Sequence, residues 1–178
     1  MVYLFLANGF EEVEALTPVD YLRRAGIPVT TVGVGGKNIV GAHGIGVTAD
    51  ICDTAATPED IEMIVLPGGM PGTTNLDASD VVHLFIDKAV EAGAHLAAIC
   101  AAPSVYGKLG LLASKKAVCY PGFEEYLKGA KLCDCGVVTD GNVTTARAAG
   151  SAADFAFELI RVLRGTVAAE KIRSAVIA

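Results

Sequence analysis

The sequence has no apolar run of about 18 residues or more, the length that a membrane-spanning helix needs. Residues 1–6 are apolar without a basic segment, which indicates a first strand rather than a signal peptide. No cluster of Lys and Arg is longer than a pair, and the formal net charge is −6. These absences argue against a membrane protein and against a surface that tracks nucleic-acid phosphates. They favour a cytoplasmic protein.

The five cysteines are odd in number and follow no secretory signal, which favours reduced thiols in a cytoplasm. Cys133 and Cys135 are separated by one residue, which is not the spacing of a zinc knuckle, and no histidine is near them. We interpret this pair as structural or incidental, and we predict neither a metal nor a cofactor. The sequence defines no role for Cys52 or Cys119.

Residues 1–178 have the length and the hydrophobic fraction, 52%, of a single domain with a substantial core. Short apolar runs alternate with helical patterns, which predicts an α/β sandwich whose mostly parallel sheet has helices on both faces. Predicted strands cover 3–7, 29–34, 63–66, 95–99 and 116–120, with a small β-excursion at 37–50 and a hairpin at 137–145. Predicted helices cover 11–24, a turn beginning at 57–60, 79–93, 101–109, 123–127, 151–164 (with a capping box) and 168–177.

A lone cysteine, Cys100, stands where the apolar run 95–99 ends and a helix-compatible stretch begins. Pro103 suits the first turn of that helix. A cysteine between a strand and a helix occupies the position of a nucleophile elbow. Because the N-terminus of a helix has unpaired N–H groups and a partial positive charge, we expect thiolate to be favoured over thiol at Cys100.

In parallel α/β sheets the site lies beyond the carboxyl ends of the strands. Four such ends should therefore gather residues that are remote in sequence. They are Glu11 to Glu14, Gly68 to Gly72, Cys100 with Ala101, and Tyr120 with Pro121.

Three acids begin the first predicted helix: Glu11, Glu12 and Glu14. Each could be a solvated acid of a first helical turn. Alternatively, one points inward to Cys100, where burial would favour its protonated form and let it donate a proton to the thiolate. The sequence pattern does not choose among the three.

Gly68 and Gly69 also have two equally good interpretations. They could form an ordinary tight turn. They could instead allow a close backbone approach, with N–H groups directed at a ligand oxygen beside Cys100.

Histidine is scarce. His83 falls on a predicted helix and His95 begins a strand at the end away from the predicted site, so both are interpreted as surface or structural residues. Only His43, in the glycine-rich excursion, could reach the site, across a subunit boundary. A Cys–His protease or amidase pair therefore has no obvious local histidine.

Three motifs, in order and spacing, resemble the ThiJ/PfpI superfamily. They are Gly-Phe-Glu-Glu-Val-Glu at 9–14, Leu-Pro-Gly-Gly at 66–69 and Ala-Ala-Ile-Cys-Ala-Ala-Pro at 97–103. The similarity covers nearly the whole chain, to the helix that ends near Gly165. The most similar branch is that of the parkinsonism-associated protein deglycase and the bacterial chaperone YajL.

This resemblance implies a flavodoxin-like sandwich that forms a homodimer, with Cys100 as a reactive, oxidation-prone cysteine and Glu14 as its protonated partner. It places backbone donors at Gly69 and Ala101. It also implies a structural or interface role for Arg24, while the strand ends described above predict site-lining roles for Gly68, Tyr120 and Pro121. The family's activities include glyoxalase III, deglycation of early carbonyl adducts, chaperone action and oxidative-stress sensing.

The chain departs from the peptidase and amidotransferase relatives around the cysteine. The protease-like branch has a histidine directly after the cysteine, where Ala101 stands here. Glutamine amidotransferase relatives have Gly-x-Cys-x-Gly, and here Ala98 and Ala102 occupy the glycine positions. Both differences argue against peptidase or amidase activity.

Other departures lie farther along the chain. Tyr120 stands where the human-like branch has a histidine, so no imidazole is left there to move protons. The run Arg147-Ala148-Ala149 replaces an Arg-Gly-Pro type run. His43 falls about where the family has an arginine donated by the partner subunit.

Three hypotheses follow for the function. The first is an enzyme, a lyase or hydrolase of glyoxalase III or deglycase type, that attacks small reactive carbonyls or glycated adducts through Cys100. The second is a redox sensor or stress chaperone in which Cys100 is oxidised to sulfinate without turnover. The third, a cysteine peptidase or amidase, carries the least weight.

Overall fold

The computed structural model describes residues 1–178 and contains a seven-stranded sheet in the order β10-β11-β7-β6-β1-β2-β5. All neighbouring strands are parallel except β10 and β11. The strands are β1 (Val2–Leu6), β2 (Val29–Gly33), β3 (Asn38–Val40), β4 (Gly46–Thr48), β5 (Ile51–Cys52), β6 (Met63–Leu66), β7 (His95–Ile99), β8 (Lys116–Ala117), β9 (Lys131–Leu132), β10 (Val137–Asp140) and β11 (Val143–Ala146). The α-helices are α1 (Glu12–Arg24), α2 (Gly72–Asp77), α3 (Asp80–Glu91), α4 (Pro103–Lys108), α5 (Ala152–Arg164) and α6 (Thr166–Ala175).

Both faces of the sheet are covered, which confirms the predicted flavodoxin-like sandwich. Successive residues of β1 point to opposite faces, so Leu4 packs in one apolar cluster and Phe5 in the other. The first cluster includes residues of α1, α5 and α6, and the second includes residues of α3 and α4. Strands enclosed in this way read as continuous apolar runs. No helix combines the length and the apolar character that a bilayer-spanning segment requires.

Several local predictions are confirmed. The β-excursion is the antiparallel pair β3–β4, and the Asp-Gly hairpin is β10–β11. Ser79 caps α3, because its hydroxyl accepts a hydrogen bond of 3.4 Å from the Val82 N–H.

The helical turn predicted at Thr57–Asp60 is wrong, because no helix forms there. The hydroxyl of Tyr3 donates to the carbonyls of Thr57 and Glu59, at 3.3 and 3.0 Å. These contacts hold the segment beside β1. A tertiary hydrogen bond has replaced the local preference of a Thr-Pro-Glu-Asp sequence for a helix start.

Two further predictions need correction. The strand predicted at 116–120 is limited to β8, because the Val118 N–H donates to the Thr145 hydroxyl instead of a strand partner. The capping box of α5 is absent: Ser151 makes no side-chain cap, since a 3₁₀ turn over Ala149–Ser151 precedes the helix. Asp154 instead pairs with Arg173 at 3.1 Å.

Candidate active site

Cys100 follows β7 directly and adopts the left-handed backbone conformation, with φ 66°. A non-glycine residue with positive φ is strained and needs support from its surroundings. Its N–H donates to the Ala146 carbonyl at 2.9 Å, and its carbonyl accepts from the Tyr120 N–H at 2.8 Å. The last residue of β11 and the loop after β8 thus hold the elbow. Ala146 was not predicted from the sequence, because it reaches Cys100 only through the parallel pairing of β11 with β7.

Glu14 lies in the first turn of α1 and is 1% exposed. Its Oε2 accepts a hydrogen bond of 2.9 Å from the Gly68 N–H, and its carboxyl lies close enough to the Cys100 side chain to raise the pKa of the thiol. A Cβ atom on Gly68 would lie 2.6 Å from both the Cys100 Cβ and the Glu14 Oε2. The glycine is therefore needed for close approach of three segments, and not only for a turn.

Gly69 has a positive φ of 88° and continues this loop. A Cβ there would lie 2.3 Å from the Glu11 backbone nitrogen. The backbone N–H groups of Gly69 and Ala101 both lower the pKa of the Cys100 thiol. The two predicted backbone donors are thus close enough to the sulfur to stabilise negative charge on it.

The pKa of the Cys100 thiol differs from the sequence-based expectation. Burial and the neighbouring Glu14 carboxyl raise this pKa to about 12, against the lowering effect of the Gly69 and Ala101 N–H groups. The expectation that Cys100 is mainly a thiolate is therefore wrong. The helix that should have stabilised the thiolate, α4, has only six residues, and burial outweighs it.

Burial also raises the pKa of Glu14 to about 7, although the neighbouring Cys100 side chain and the hydrogen bond from the Gly68 N–H oppose the shift. The two groups form one coupled pair. This pair holds two protons below about pH 7 and one proton between about pH 7 and 12. Above neutral pH, the remaining proton lies on the sulfur, because the pKa of the thiol is the higher of the two, and the ionised Glu14 carboxylate beside it is a base that can accept that proton.

The other two acids have different environments. Glu12 is buried, and its carboxylate accepts hydrogen bonds from the N–H groups of His43 and Ile45 at 2.8 and 3.3 Å. Burial opposes ionisation of Glu12, but its hydrogen bonds to His43 outweigh burial and lower its pKa to about 2. Hydrogen bonds to Glu12 therefore connect the β3–β4 turn to α1. Glu11 is partly exposed and helps to raise the pKa of Glu14.

The histidines lie apart from the sulfur. The His43 ring binds Glu12 of its own chain at 2.9 Å, so its predicted approach to a partner's site stays a prediction. His83 binds the Asp77 carbonyl at 2.7 Å, and buried His95 binds the Thr144 hydroxyl at 2.8 Å. Glu11, Glu12 and His43 are the group of metal-ligand types that lie together, within 4.8 Å, but the His43 ring binds the Glu12 carboxylate there.

The remaining predicted residues lie around the elbow or farther away. Tyr120 reaches Cys100 through its backbone, and its side chain is 47% exposed. Pro121 lines a neighbouring cavity of about 300 Å³, together with Cys119 and Arg147. This cavity was not predicted from the sequence, because its walls come from segments that only the fold brings together.

The structural role predicted for Arg24 belongs to Arg23. Arg24 is exposed and pairs only with Asp20 on its own helix, at 2.7 Å. Arg23 donates to the Val29 carbonyl at 3.1 Å and pairs with Asp50, and so ties α1 to the sheet. An interface role for Arg24 stays a prediction, as does the homodimer.

Comparisons with known proteins agree with this architecture. The sequence model of the DJ-1/PfpI family matches residues 1–162. Protein DJ-1 homolog B of Arabidopsis thaliana is 37% identical over 92% of this chain, which spans 38% of that relative's length. A deglycase of Pyrococcus horikoshii is 31% identical over 92% of this chain and 100% of its own. The structure of oxidized Toxoplasma gondii DJ-1 superposes with a TM-score of 0.95 at 32% identity, covering 99% of this chain and 97% of the other. The chain therefore belongs to the DJ-1/PfpI family.

Proposed function

We propose that this protein is a cysteine-dependent stress-protection enzyme that acts on small reactive carbonyls, as a glyoxalase III or a protein deglycase. The observation that carries the proposal is the close approach of Cys100 and the buried Glu14 carboxyl across Gly68, where a Cβ atom would lie 2.6 Å from both side chains. The nearby N–H groups of Gly69 and Ala101 lower the pKa of the thiol. The relative from Pyrococcus horikoshii that is named a deglycase supports a deglycase-type role.

The first chemical step is addition of the sulfur to an aldehyde. The ionised Glu14 carboxylate accepts the proton of the Cys100 thiol, and the thiolate formed in this way attacks the carbonyl carbon. A sulfur–carbon bond forms, the carbonyl π electrons move to oxygen, and Glu14 protonates that oxygen to give a hemithioacetal. The Gly69 and Ala101 N–H groups stabilise the negative charge as it leaves the sulfur for the neighbouring oxygen.

With methylglyoxal, the ionised Glu14 then removes the proton from the former aldehyde carbon. Return of a proton to the adjacent carbon gives a thioester. Water hydrolyses the thioester, which releases lactate and restores the thiol. The sum is methylglyoxal plus water to lactate plus a proton, so no cofactor is required.

Lactate formation from methylglyoxal tests the proposal. Wild-type protein should form many equivalents of lactate per chain, measured by proton NMR without added thiol. A deglycase without glyoxalase turnover would instead release free amine from a methylglyoxal-treated amino acid. Rates equal to those in buffer in both assays would contradict the proposed enzymatic activity.

A second function, oxidative-stress sensing by Cys100, is supported by the same donors. Two N–H groups and a carboxyl at the sulfur also suit the oxygens of a sulfinate, and the Toxoplasma gondii relative is described as oxidized. Two equivalents of peroxide would oxidise the thiolate to sulfinate and leave two waters.

We expect peroxide to add two oxygens selectively at Cys100, as measured by intact mass and peptide mapping. Selective uptake with no lactate formation would favour the sensor over the enzyme. Oxidation spread evenly over the five cysteines would argue against a sensor. A peptidase has no support, because Ala101 follows the cysteine and no histidine binds it.

A further inference from the structure

His95, the first residue of β7, is a buried histidine at the end of the strand that lies away from Cys100. It is 7% exposed, and its Nε2 hydrogen-bonds the Thr144 hydroxyl of β11 at 2.8 Å. β10 and β11 form the hairpin at one edge of the sheet, and β11 pairs with β7 in parallel. A titratable side chain is therefore enclosed where this hairpin meets the rest of the sheet.

The hydrogen bond of His95 begins a chain that crosses the hairpin. The Thr144 hydroxyl bonds the Thr139 hydroxyl of β10 at 2.8 Å, and Thr139 donates to the Glu158 carboxylate of α5. Glu158 also accepts two hydrogen bonds from the Arg161 guanidinium, at 2.7 and 2.6 Å. The chain thus connects β7, both strands of the hairpin and α5.

The direction of these hydrogen bonds fixes one proton of the ring. An ionised carboxylate only accepts, and the hydrogen bonds from Arg161 hold the pKa of Glu158 below its ordinary value. Because Thr139 donates its only proton to Glu158, the proton between the two hydroxyls belongs to Thr144. The Thr144 oxygen therefore accepts from the ring, so Nε2 of His95 carries a proton. A further proton would bind Nδ1.

A proton on Nδ1 would create a buried charge without a counter-ion. Burial is the largest cause of the low pKa of His95, about 4. The negative charge of Glu158 opposes this shift, but two threonine hydroxyls separate Glu158 from the ring, and Arg161 already pairs with it. Lys115, which precedes β8, adds to the shift, because its ammonium repels a positive ring.

The other acids near this end of the sheet bind other partners. Glu62 precedes β6, and its carboxylate pairs with the Met1 ammonium and with Arg164, at 2.9 and 3.0 Å. Asp140, at the end of β10, accepts a hydrogen bond of 2.8 Å from the Lys116 N–H. The strands on either side of β7, which are β6 and β11, carry no charged side chain. The ring therefore fits the closed sheet only in its neutral form.

We propose that His95 is a pH switch that controls the docking of the β10–β11 hairpin on β7. Near neutral pH the uncharged ring completes the hydrogen-bonded chain, and the hairpin stays docked. In acid the hairpin separates from β7, so the ring enters water and binds a proton there. The switch is a property of the fold, and it does not depend on the reaction proposed for Cys100.

The same hairpin supports the reactive cysteine. Ala146 ends β11, and its carbonyl accepts the Cys100 N–H at 2.9 Å. Cys100 has a φ of 66°, a conformation that needs such support. Thr144 lies two residues earlier on the same strand, so separation of β11 from β7 removes both contacts. The acid-opened form therefore lacks the ordered elbow.

The sign of the pH effect follows from the two forms of the hairpin. In the open form His95 has the ordinary histidine pKa of 6.5, and in the closed form its pKa is about 4, so the open form binds the proton more tightly. The equilibrium constant for opening should therefore increase as pH falls through 6.5, until the closed form is protonated as well below about 4. Between pH 7 and pH 5 we expect an increase of about twentyfold.

Amide hydrogen exchange of the full chain at pH 7 and pH 5, corrected for the intrinsic pH dependence of exchange, tests this switch. In the wild type, protection of residues 137–146 should fall by about twentyfold at pH 5. His95→Gln keeps a side-chain N–H for Thr144 but does not ionise, so this variant should lose most of the acid effect. His83→Gln, on α3, is the matched control and should behave as the wild type does.

An equal acid effect in wild type and His95→Gln, or equal protection of the wild-type hairpin at both pH values, would overturn the proposal. The wild-type ring gives a second measurement that does not require the variant to fold. Nitrogen-15 NMR of the folded protein at pH 5 should show His95 as the neutral form with its proton on Nε2. A ring that is already protonated at pH 5 in the closed hairpin would also overturn the proposal.

Discussion

The Cys100→Ser variant is expected to form lactate from methylglyoxal no faster than buffer does. Serine retains the size and the polarity of the side chain, but its hydroxyl does not ionise in the accessible pH range and is a poor nucleophile without an adjacent base of matched pKa. The Gly69 and Ala101 N–H groups would remain in place in this variant. The loss would therefore report on the sulfur alone, and it is measured as the initial rate of lactate formation.

Two other cysteines provide controls for this result. Cys52 is partly exposed beside Thr54, and Cys119 is buried in the neighbouring cavity, where burial raises its pKa to about 11. Cys52→Ser should keep the wild-type rate, and Cys119→Ser should stay within a small factor of it. If Cys100→Ser and wild type share a rate above buffer, the reacting group lies elsewhere and the mechanism is wrong.

The Glu14→Gln variant is expected to remove the pH dependence of Cys100 reactivity near neutrality. In the wild type, alkylation by iodoacetamide should rise as pH passes about 7, because Glu14 then ionises and its carboxylate can accept the proton of the Cys100 thiol during the reaction. The glutamine side chain does not ionise, so this rise near pH 7 should be absent from the variant. The Cys100 thiol of the variant should have a pKa below that of the wild-type thiol, because the Glu14 carboxyl that raises this pKa is absent. Turnover should fall by about 10²-fold or more.

Glu11→Gln is the matched control, because Glu11 raises the pKa of Glu14 without contacting the sulfur. In this variant the alkylation rate should still rise with pH, but the rise should occur at a lower pH than in the wild type. A Glu14→Gln variant that retains the rise near pH 7 would show that another group titrates there. The alkylation rates are followed by mass spectrometry of the peptide that contains Cys100.

The same carboxyl should affect stability. Since the folded-state pKa of Glu14, about 7, exceeds the ordinary value of 4.5, the folded state binds the proton more tightly than the unfolded state. The free energy of unfolding should therefore decrease as pH rises from about 4.5 through 7, by about 3 kcal/mol from this group. Glu14→Gln should lack this decrease in urea unfolding at a series of pH values. An unchanged pH profile would contradict the burial effect.

Much of the fold follows from local patterns. The apolar runs that became β1, β6 and β7 are short and lack polar residues, which is typical of strands covered on both faces. The turn at Thr57–Asp60 could not be excluded in this way, because its backbone is held by Tyr3, a residue remote in sequence. Helix starts defined by a few residues are easily outweighed by one long-range hydrogen bond.

In the candidate site, too, local patterns predicted some features, and contacts between residues remote in sequence decided others. Strand ends and glycine motifs predicted which segments meet at Cys100. They did not predict which acid faces the sulfur, and that choice follows from the turn of α1 that buries Glu14 while Glu12 binds the β3–β4 turn. The exchange of roles between Arg23 and Arg24 has a similar cause, because only one of two adjacent helical residues points to the sheet.

Apolar periodicity and short motifs were enough to predict the class of fold, the elbow at Cys100 and the family. The protonation of the site could be found only from the folded structure, because it depends on desolvation, which is a property of the packed surroundings and not of neighbours in the chain. A thiol expected to be ionised by a helix end is instead controlled by a buried carboxyl.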